Sequence, residues 1–432
     1  MIELLFISFQ ILFILTILIF SFYQLVDKLK INYFNLIDAV SINLILILNL
    51  LLIFSLINIP SIYVILTICF VALISLLSKL KNNLKFIKSN IINLIFLFLI
   101  IFIISINLAT DLYLEWDAKF FWYFKTLNFY QNENIENLKN LIAPDYPHLG
   151  SYVWSLFWKY PLNINEFYGR IFYVVIYAIS IFSFFGNLGI SKKIKILFIM
   201  FTLIATYKYS YFAGLQEILV FSFILLATKF SFYISEEKNS NIQNKLIFYL
   251  LCITNVIAWI KNEGFIFMLI LNFCLLISFK INYKGKIYLI FGSILILLSK
   301  FLFMSFFDIT FESSEFSKTF NLSLLNISDF FDDLKIITFY LMVNITRIPI
   351  LLVCLPILTY IVFLDKENAR IKMFIKSFSI ISLIFIYVSF MFNFEDVEWQ
   401  TRVAIGRVLL EFSGFYLLTI IFVLKKLKRQ LP

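Results

Sequence analysis

The sequence predicts an all-α polytopic membrane protein with about 13 transmembrane helices and an outer-face loop carrying interfacial helices. Two observations predict it: an apolar excess that no soluble fold of this size can bury, and basic patches that follow every other apolar run and so share one side. Of 432 residues, 62% are hydrophobic and only 14% charged, and the mean hydropathy is +0.95. A soluble domain is about 45–50% apolar and about 25% charged, so the surplus must face lipid. Because a hydrocarbon core about 30 Å thick needs about 20 apolar residues per helix, the runs at 3–26, 38–58, 61–78, 90–109, 168–188, 195–209, 215–234, 246–261, 264–280, 286–306, 341–364, 377–392 and 408–424 read as spans.

Lysine and arginine set the orientation. Lys28 and Lys30 follow the first span, and Lys79, Lys81, Lys85 and Lys88 the third. Lys192, Lys193 and Lys195 follow the fifth, Lys238 and Lys245 the seventh, and Lys280, Lys284 and Lys286 the ninth. Lys366, Arg370, Lys372 and Lys376 follow the eleventh, and the chain ends in Lys425, Lys426, Lys428 and Arg429. All fall on one side. By the positive-inside rule that side is cytoplasmic, with the N-terminus outside and the C-terminus inside. The start, Met1-Ile2-Glu3-Leu4, has no basic n-region and reads as a retained first span. The formal charge of +10 is thereby assigned to membrane lipids, with no nucleic acid partner. Cys69, Cys252, Cys274 and Cys354 are scattered through apolar runs and His148 is the single histidine, a poor basis for a zinc site.

The remaining loops face outward, the two large ones at 110–167 and 307–340, and the polar residues concentrate there. Asp111, Glu115 and Asp117 follow the fourth span, in front of the aromatic stretch 116–130, which suits a helix lying in the interface. With 3.6 residues per turn, Phe121 and Phe124 share a face with Asp117. A carboxylate among aromatic rings loses hydration and suits base chemistry; the plain alternative is a hydrated acid at headgroup level. Pro144-Asp145-Tyr146-Pro147-His148-Leu149-Gly150 forms a rigid turn, either a connector or a site with His148 in proton transfer. Lys261-Asn262-Glu263-Gly264 breaks two apolar spans and either hydrates a tight turn or marks a cavity. Glu395-Asp396-Val397-Glu398-Trp399-Gln400-Thr401-Arg402 precedes Arg407 at the outer end of the last span, against the positive-inside trend. Arg407, like Arg347 at the head of the eleventh span, can hold a phosphate through paired hydrogen bonds or pair with nearby acids.

These motifs together resemble the GT-C superfamily of membrane glycosyltransferases, and more narrowly bacterial members of the dolichyl-phosphate-mannose and aminoarabinose transferase type. The resemblance rests on Asp117-Ala118 with Trp122 and Lys125, on Asp145-Tyr146-Pro147 with Leu149-Gly150, on Lys261 through Gly264, and on Arg407 ahead of the final span. It covers 90–432 as a catalytic module with outer loop 110–167. Residues 1–89 form a three-span N-terminal extension, a departure, because the family's loop usually follows the first span. The resemblance implies an inverting transfer from a polyprenyl-phosphate-linked sugar to a glycan, lipid or protein acceptor, at the outer face of a bacterial inner membrane. It implies Asp117 as general base with Asp111 as alternative or orienting partner, and Arg407, Arg347 and Lys261 as phosphate-binding cations. Trp116, Trp122 and Tyr146 would stack on sugar, with Lys125, Asp145, His148, Glu263 and Arg402 completing the substrate-binding set. A divalent metal is used by some members, for which Asp111, Asp117, Asp145 and Glu217 offer oxygen ligands. An O-antigen-type polymerase or ligase and a multispan transporter are the competing readings. The former places its major outer loop late in the chain, and the latter predicts repeated halves that this sequence lacks.

Overall fold

Peptide groups in hydrocarbon find no water, so a chain this apolar satisfies them internally as helices. The computed structural model describes residues 2–21, 36–78, 80–131, 134–186, 191–309, 327–364, 369–392 and 396–430, and none of these forms a strand. Among the described residues, ten helices are long and apolar enough to cross a membrane. Four come first: α1 (Ile2–Phe20), α2 (Leu36–Leu56), α3 (Ser61–Ser78) and α4 (Leu80–Thr110). Two shorter helices, α5 (Tyr123–Gln131) and α6 (Leu149–Lys159), belong to the first large loop. Then come α7 (Phe167–Phe184), α8 (Lys192–Thr206), α9 (Glu217–Glu236), α10 (Ser240–Ile260), α11 (Asn262–Ser278) and α12 (Tyr283–Phe306). The chain finishes with α13 (Ile327–Arg347), α14 (Pro349–Thr359), α15 (Ala369–Met391), α16 (Val397–Tyr416) and α17 (Leu418–Gln430). Lys28, Lys30, Lys79, Lys366, Glu395 and residues 310–326 of the second large loop lie outside the described residues.

Every expected span coincides with a helix, but not each with a full crossing. α8, of 15 residues, and α11, of 17, are short. The expected span at 341–364 is broken: α13 and α14 meet at an angle of 103°. The cause is local. Pro349 has no N–H and disfavours a helical conformation before it, and Ile348 is extended at φ −105°, ψ 101°. The final span begins at Val397 rather than 408, because Asp396 caps it by accepting from Trp399 N at 2.7 Å.

α7 and α9 are the innermost helices, and every residue of α7 is buried. α3, α4 and α12 instead present Leu66, Phe70, Ile103, Phe291 and Leu302 outward, as lipid-facing helices do. The N-terminal helices pack directly on the rest. Gln10 donates to Phe157 O at 2.8 Å, Asn49 to Cys252 O at 3.0 Å, and Ser55 Oγ lies 2.9 Å from His148 Nε2.

One buried ion pair locks α2, α7 and α9. Lys229 on α9 bonds Asp38 on α2 and the Ser183 carbonyl at the end of α7, while Ser183 Oγ donates to Asp38 Oδ1 at 2.9 Å. Both charged side chains are 2% exposed. Removing one partner leaves a buried charge uncompensated. Lys229→Met is therefore expected to destabilise the protein by about 3–5 kcal/mol, and the Asp38→Asn/Lys229→Met double variant to recover most of that loss. Thermal unfolding in detergent checks it; equal losses in both would refute the pairing argument.

Candidate functional site

The site is assembled from two loops that interlock. After α4 the chain is neither helix nor strand through 111–115, where Glu115 N donates to Ala213 O at 3.1 Å. The Tyr209 hydroxyl donates to the Asp111 carbonyl. Asp117 then enters a wide π-helical turn, Ala118–Trp122, closed by Tyr123 N donating to Ala118 O. Ala118 is fully buried beneath Gly214, whose φ is +89°. A Cβ on Gly214 would stand 2.8 Å from the Ala118 methyl and 2.9 Å from the Trp154 ring. Both residues must be small for the loops to meet.

Arg170, wholly buried at the start of α7, ties both loops from below. It donates to Glu166 from Nε (3.0 Å) and Nη2 (2.5 Å), and from Nη1 to Phe212 O at 3.2 Å and Tyr113 O at 3.5 Å. This framework brings Asp117 from one loop and Glu217, first residue of α9, from the other to the same end of the bundle.

There the charges converge. Arg407 Nη1 pairs with Asp117 Oδ2 and lies 3.5 Å from Glu217 Oε1. Glu217 Oε1 also accepts from Lys261 Nζ at 3.2 Å, and the same ammonium reaches Glu411 Oε1 at 2.9 Å and Glu263 Oε1 at 3.0 Å. Arg407 and Glu411 are one turn apart on α16. Lys261 is the extended residue between α10 and α11, at φ −150°, ψ 152°. The hairpin there is tight because Gly264 crosses the end of α10, where a Cβ would meet Ile257 O at 2.2 Å. Glu217 and Glu411 are 2% exposed, whereas Asp117 and Arg407 are each 26% exposed and Glu263 27%. The cluster is closed at its base and open at Asp117, Arg407 and Glu263.

A second polar group adjoins it through the next residue of the same turn. Asn262 faces the Asp145 carboxyl and accepts from Lys300 of α12. Lys125 is fully buried and donates to Ala143 O at 2.8 Å and Tyr146 O at 2.7 Å, which fixes the Pro144–Tyr146 turn. Burial pulls the Lys125 ammonium down to about 7 and pushes the Asp145 carboxyl up. Burial also pulls His148 down to about 3, so this ring is neutral, packed among Phe129, Trp259 and Phe303.

Of the residues singled out from sequence, Asp117, Arg407, Lys261 and Glu263 share the first cluster, and Asp145 and Lys125 lie beside it. Trp116 is exposed, packed on Phe120 and Phe121; Trp122 is buried, with Tyr146 set edge-on to it. Asp111 is exposed, its Oδ1 accepting from Tyr113 N at 3.1 Å. Arg347, at the α13–α14 break, and Arg402 are exposed, and neither forms an ion pair with the cluster among the described residues. No group of three or more His, Cys, Asp or Glu among the described residues is arranged to hold a metal; the Lys261 ammonium stands between Glu217, Glu263 and Glu411.

Sequence reasoning passed over Glu411 and Lys300 and weighed Glu217 only as a metal ligand. The signal was present: each is an ionisable residue inside an apolar run, and such residues are rare without a role. No family model matches the chain, nor does any curated protein or solved structure.

Two outcomes follow from this geometry. Gly214→Val forces the two loops apart and is expected to lower stability by about 1–3 kcal/mol, read as a lower unfolding midpoint in detergent; an unchanged midpoint would contradict the close approach. Lys125 predicts a pH dependence. Its folded value of about 7 lies below the ordinary 10.5, so between these the unfolded chain holds a proton that the folded one lacks. Stability from this group therefore rises with pH across that window. Wild type should gain on Lys125→Met as pH increases from about 7 to about 9, and a constant gap in unfolding midpoint would exclude the buried ammonium as its source.

Proposed function

We propose that the chain is a membrane glycosyltransferase of the GT-C type. It moves a sugar from a polyprenyl-phosphate donor to an acceptor hydroxyl on the non-cytoplasmic face of a bacterial inner membrane, with inversion. The observation that carries this reading is the contact between a carboxylate and a guanidinium at the open edge of a charge cluster. Asp117 and Arg407 touch through Nη1 alone; among the described residues, Nε and Nη2 of Arg407 have no hydrogen-bond partner. That free edge fits a phosphate through two parallel hydrogen bonds.

In this reading Asp117 takes the proton of the acceptor hydroxyl as its oxygen bonds to the anomeric carbon. The bond from that carbon to the phosphate oxygen breaks, and the departing charge falls to Arg407. The width of the guanidinium separates base from leaving group, as attack from the face opposite the leaving phosphate requires. Glu217, itself paired with Lys261, lies behind Arg407, so the cation need not reorganise as charge develops. The exposed Trp116, Phe120 and Phe124 offer an apolar surface beside Asp117. The lysines support this orientation: the cluster lies at the start of α9, opposite the end marked by Lys238 and Lys245.

Asp117→Asn is expected to lower transfer by about 10²–10⁴-fold while expression and insertion stay normal. Arg407→Gln should lose turnover by about 10²–10³-fold. Both are read as consumption of a labelled polyprenyl-phosphate sugar by membranes carrying the protein; full activity in Asp117→Asn would remove the proposed base. The charges inside the spans, Glu217, Lys261 and Glu411, also suit a proton- or ion-coupled transporter. That reading predicts solute flux into proteoliposomes with no consumption of lipid-linked sugar.

A further inference from the structure

Apart from Lys284 and Lys286 at its start, Lys300 is the one charged residue of α12. An ammonium in an apolar helix is costly unless it serves a partner. Its Nζ donates to Asn262 Oδ1, stands 4.5 Å from the centre of the Phe265 ring, and feels the charge of the Asp145 and Glu263 carboxyls. Each of those carboxyls has one buried oxygen without a hydrogen-bond partner, Oδ1 of Asp145 and Oε2 of Glu263. Asp145 is only 3% exposed, and a buried acceptor without a donor costs stability until a ligand supplies one. Lys125 cannot turn to it, because its ammonium is committed to the Ala143 and Tyr146 carbonyls. Lys300 in turn has three N–H groups and, among the described residues, one hydrogen-bond acceptor.

The patch thus presents two unsatisfied acceptors flanking a donor, on the turn that also carries Lys261. We infer that Lys300, Asp145 and Glu263 form a subsite for a neutral, hydroxyl-bearing sugar ring, contiguous with the Asp117–Arg407 pair. Neighbouring hydroxyls donate to the two carboxylate oxygens and accept from the ammonium, which satisfies all three. Two carboxylates disfavour a uronic acid by like-charge repulsion. Glu263 connects the subsite to the phosphate-binding end, because it shares Lys261 with Glu217 and Glu411. This inference rests on the transferase reading, names the sugar class it takes, and makes Lys300 a specificity-determining residue.

The test uses the full chain in nanodiscs and three probes: plain polyprenyl phosphate, the same lipid carrying a neutral hexose, and the same lipid carrying a hexuronic acid. Wild type is expected to bind the hexose lipid more tightly than the plain one, and the uronic lipid no better than the plain one. Lys300→Gln and Asp145→Asn should each weaken the hexose lipid by about 10–100-fold. Both should keep wild-type affinity for plain polyprenyl phosphate, which also reports that they are folded. An unchanged hexose preference in both variants overturns the subsite while leaving the transferase reading intact. Equal losses for plain and hexose lipids in both variants, or a wild-type preference for the uronic lipid, overturn it equally. A wild type that binds none of the three lipids overturns the transferase reading itself.

Discussion

Three carboxylates around one ammonium hold together the end of this bundle that carries the candidate site. Lys261 reaches Glu217 of α9, Glu263 of α11 and Glu411 of α16, and Arg407 extends the chain of charges to Asp117. Burying charge in a medium of low dielectric is expensive, and apolar packing would have made a more stable bundle. What charge gives instead is register. Leucine packs against leucine at several rotations of a helix, but an ammonium with three acceptors is satisfied in only one arrangement. The relative depth of three helices is thereby set by one side chain, whose extended backbone depends on the Gly264 crossing.

The cluster would have no acidic open edge without the loops that bring Asp117 to it. A carboxylate beyond the end of α4 would ordinarily face water. Here the Ala118–Gly214 contact pulls the start of the loop helix under the 207–216 backbone, and Arg170 bonds carbonyls from both strands of chain. The π-helical turn after Asp117 follows from this crowding. Widening the helix by one residue per turn keeps Ala118 and Trp122 inside while leaving Asp117 at the edge.

The spans were legible because lipid imposes a strict requirement: about 20 apolar residues with no unsatisfied backbone. Hydropathy carries no direction, however. The run at 341–364 reads as one crossing although Pro349 turns it through 103°. The site was legible where charge stood in loops, as at Asp117, Lys261 and Arg407. It was hidden where one charge sat within an apolar run, as at Glu411 and Lys300, since the run remains a span with or without it. Residue chemistry alone was also a poor guide to exposure. Trp122, Lys125 and His148 have the character of site residues, yet all three are buried, Lys125 binding carbonyls and the two rings packed among aromatic neighbours.

The two ends of α9 offer an internal comparison. Glu217 and Lys229 are separated by about 18 Å along one helix, and each belongs to a network of buried charge. At Lys229 the network is closed: Asp38 and the lysine are equally buried, and Ser183 supplies both a carbonyl and a hydroxyl. Nothing there is left to bind. At Glu217 the inner carboxylates are as deeply buried, but the network runs outward to a guanidinium with a free edge and to carboxylate oxygens without donors. An acceptor left without a donor costs stability until a ligand supplies one. The imbalance between the ends makes the Lys229 network a clamp and the Glu217 network the candidate for ligand chemistry.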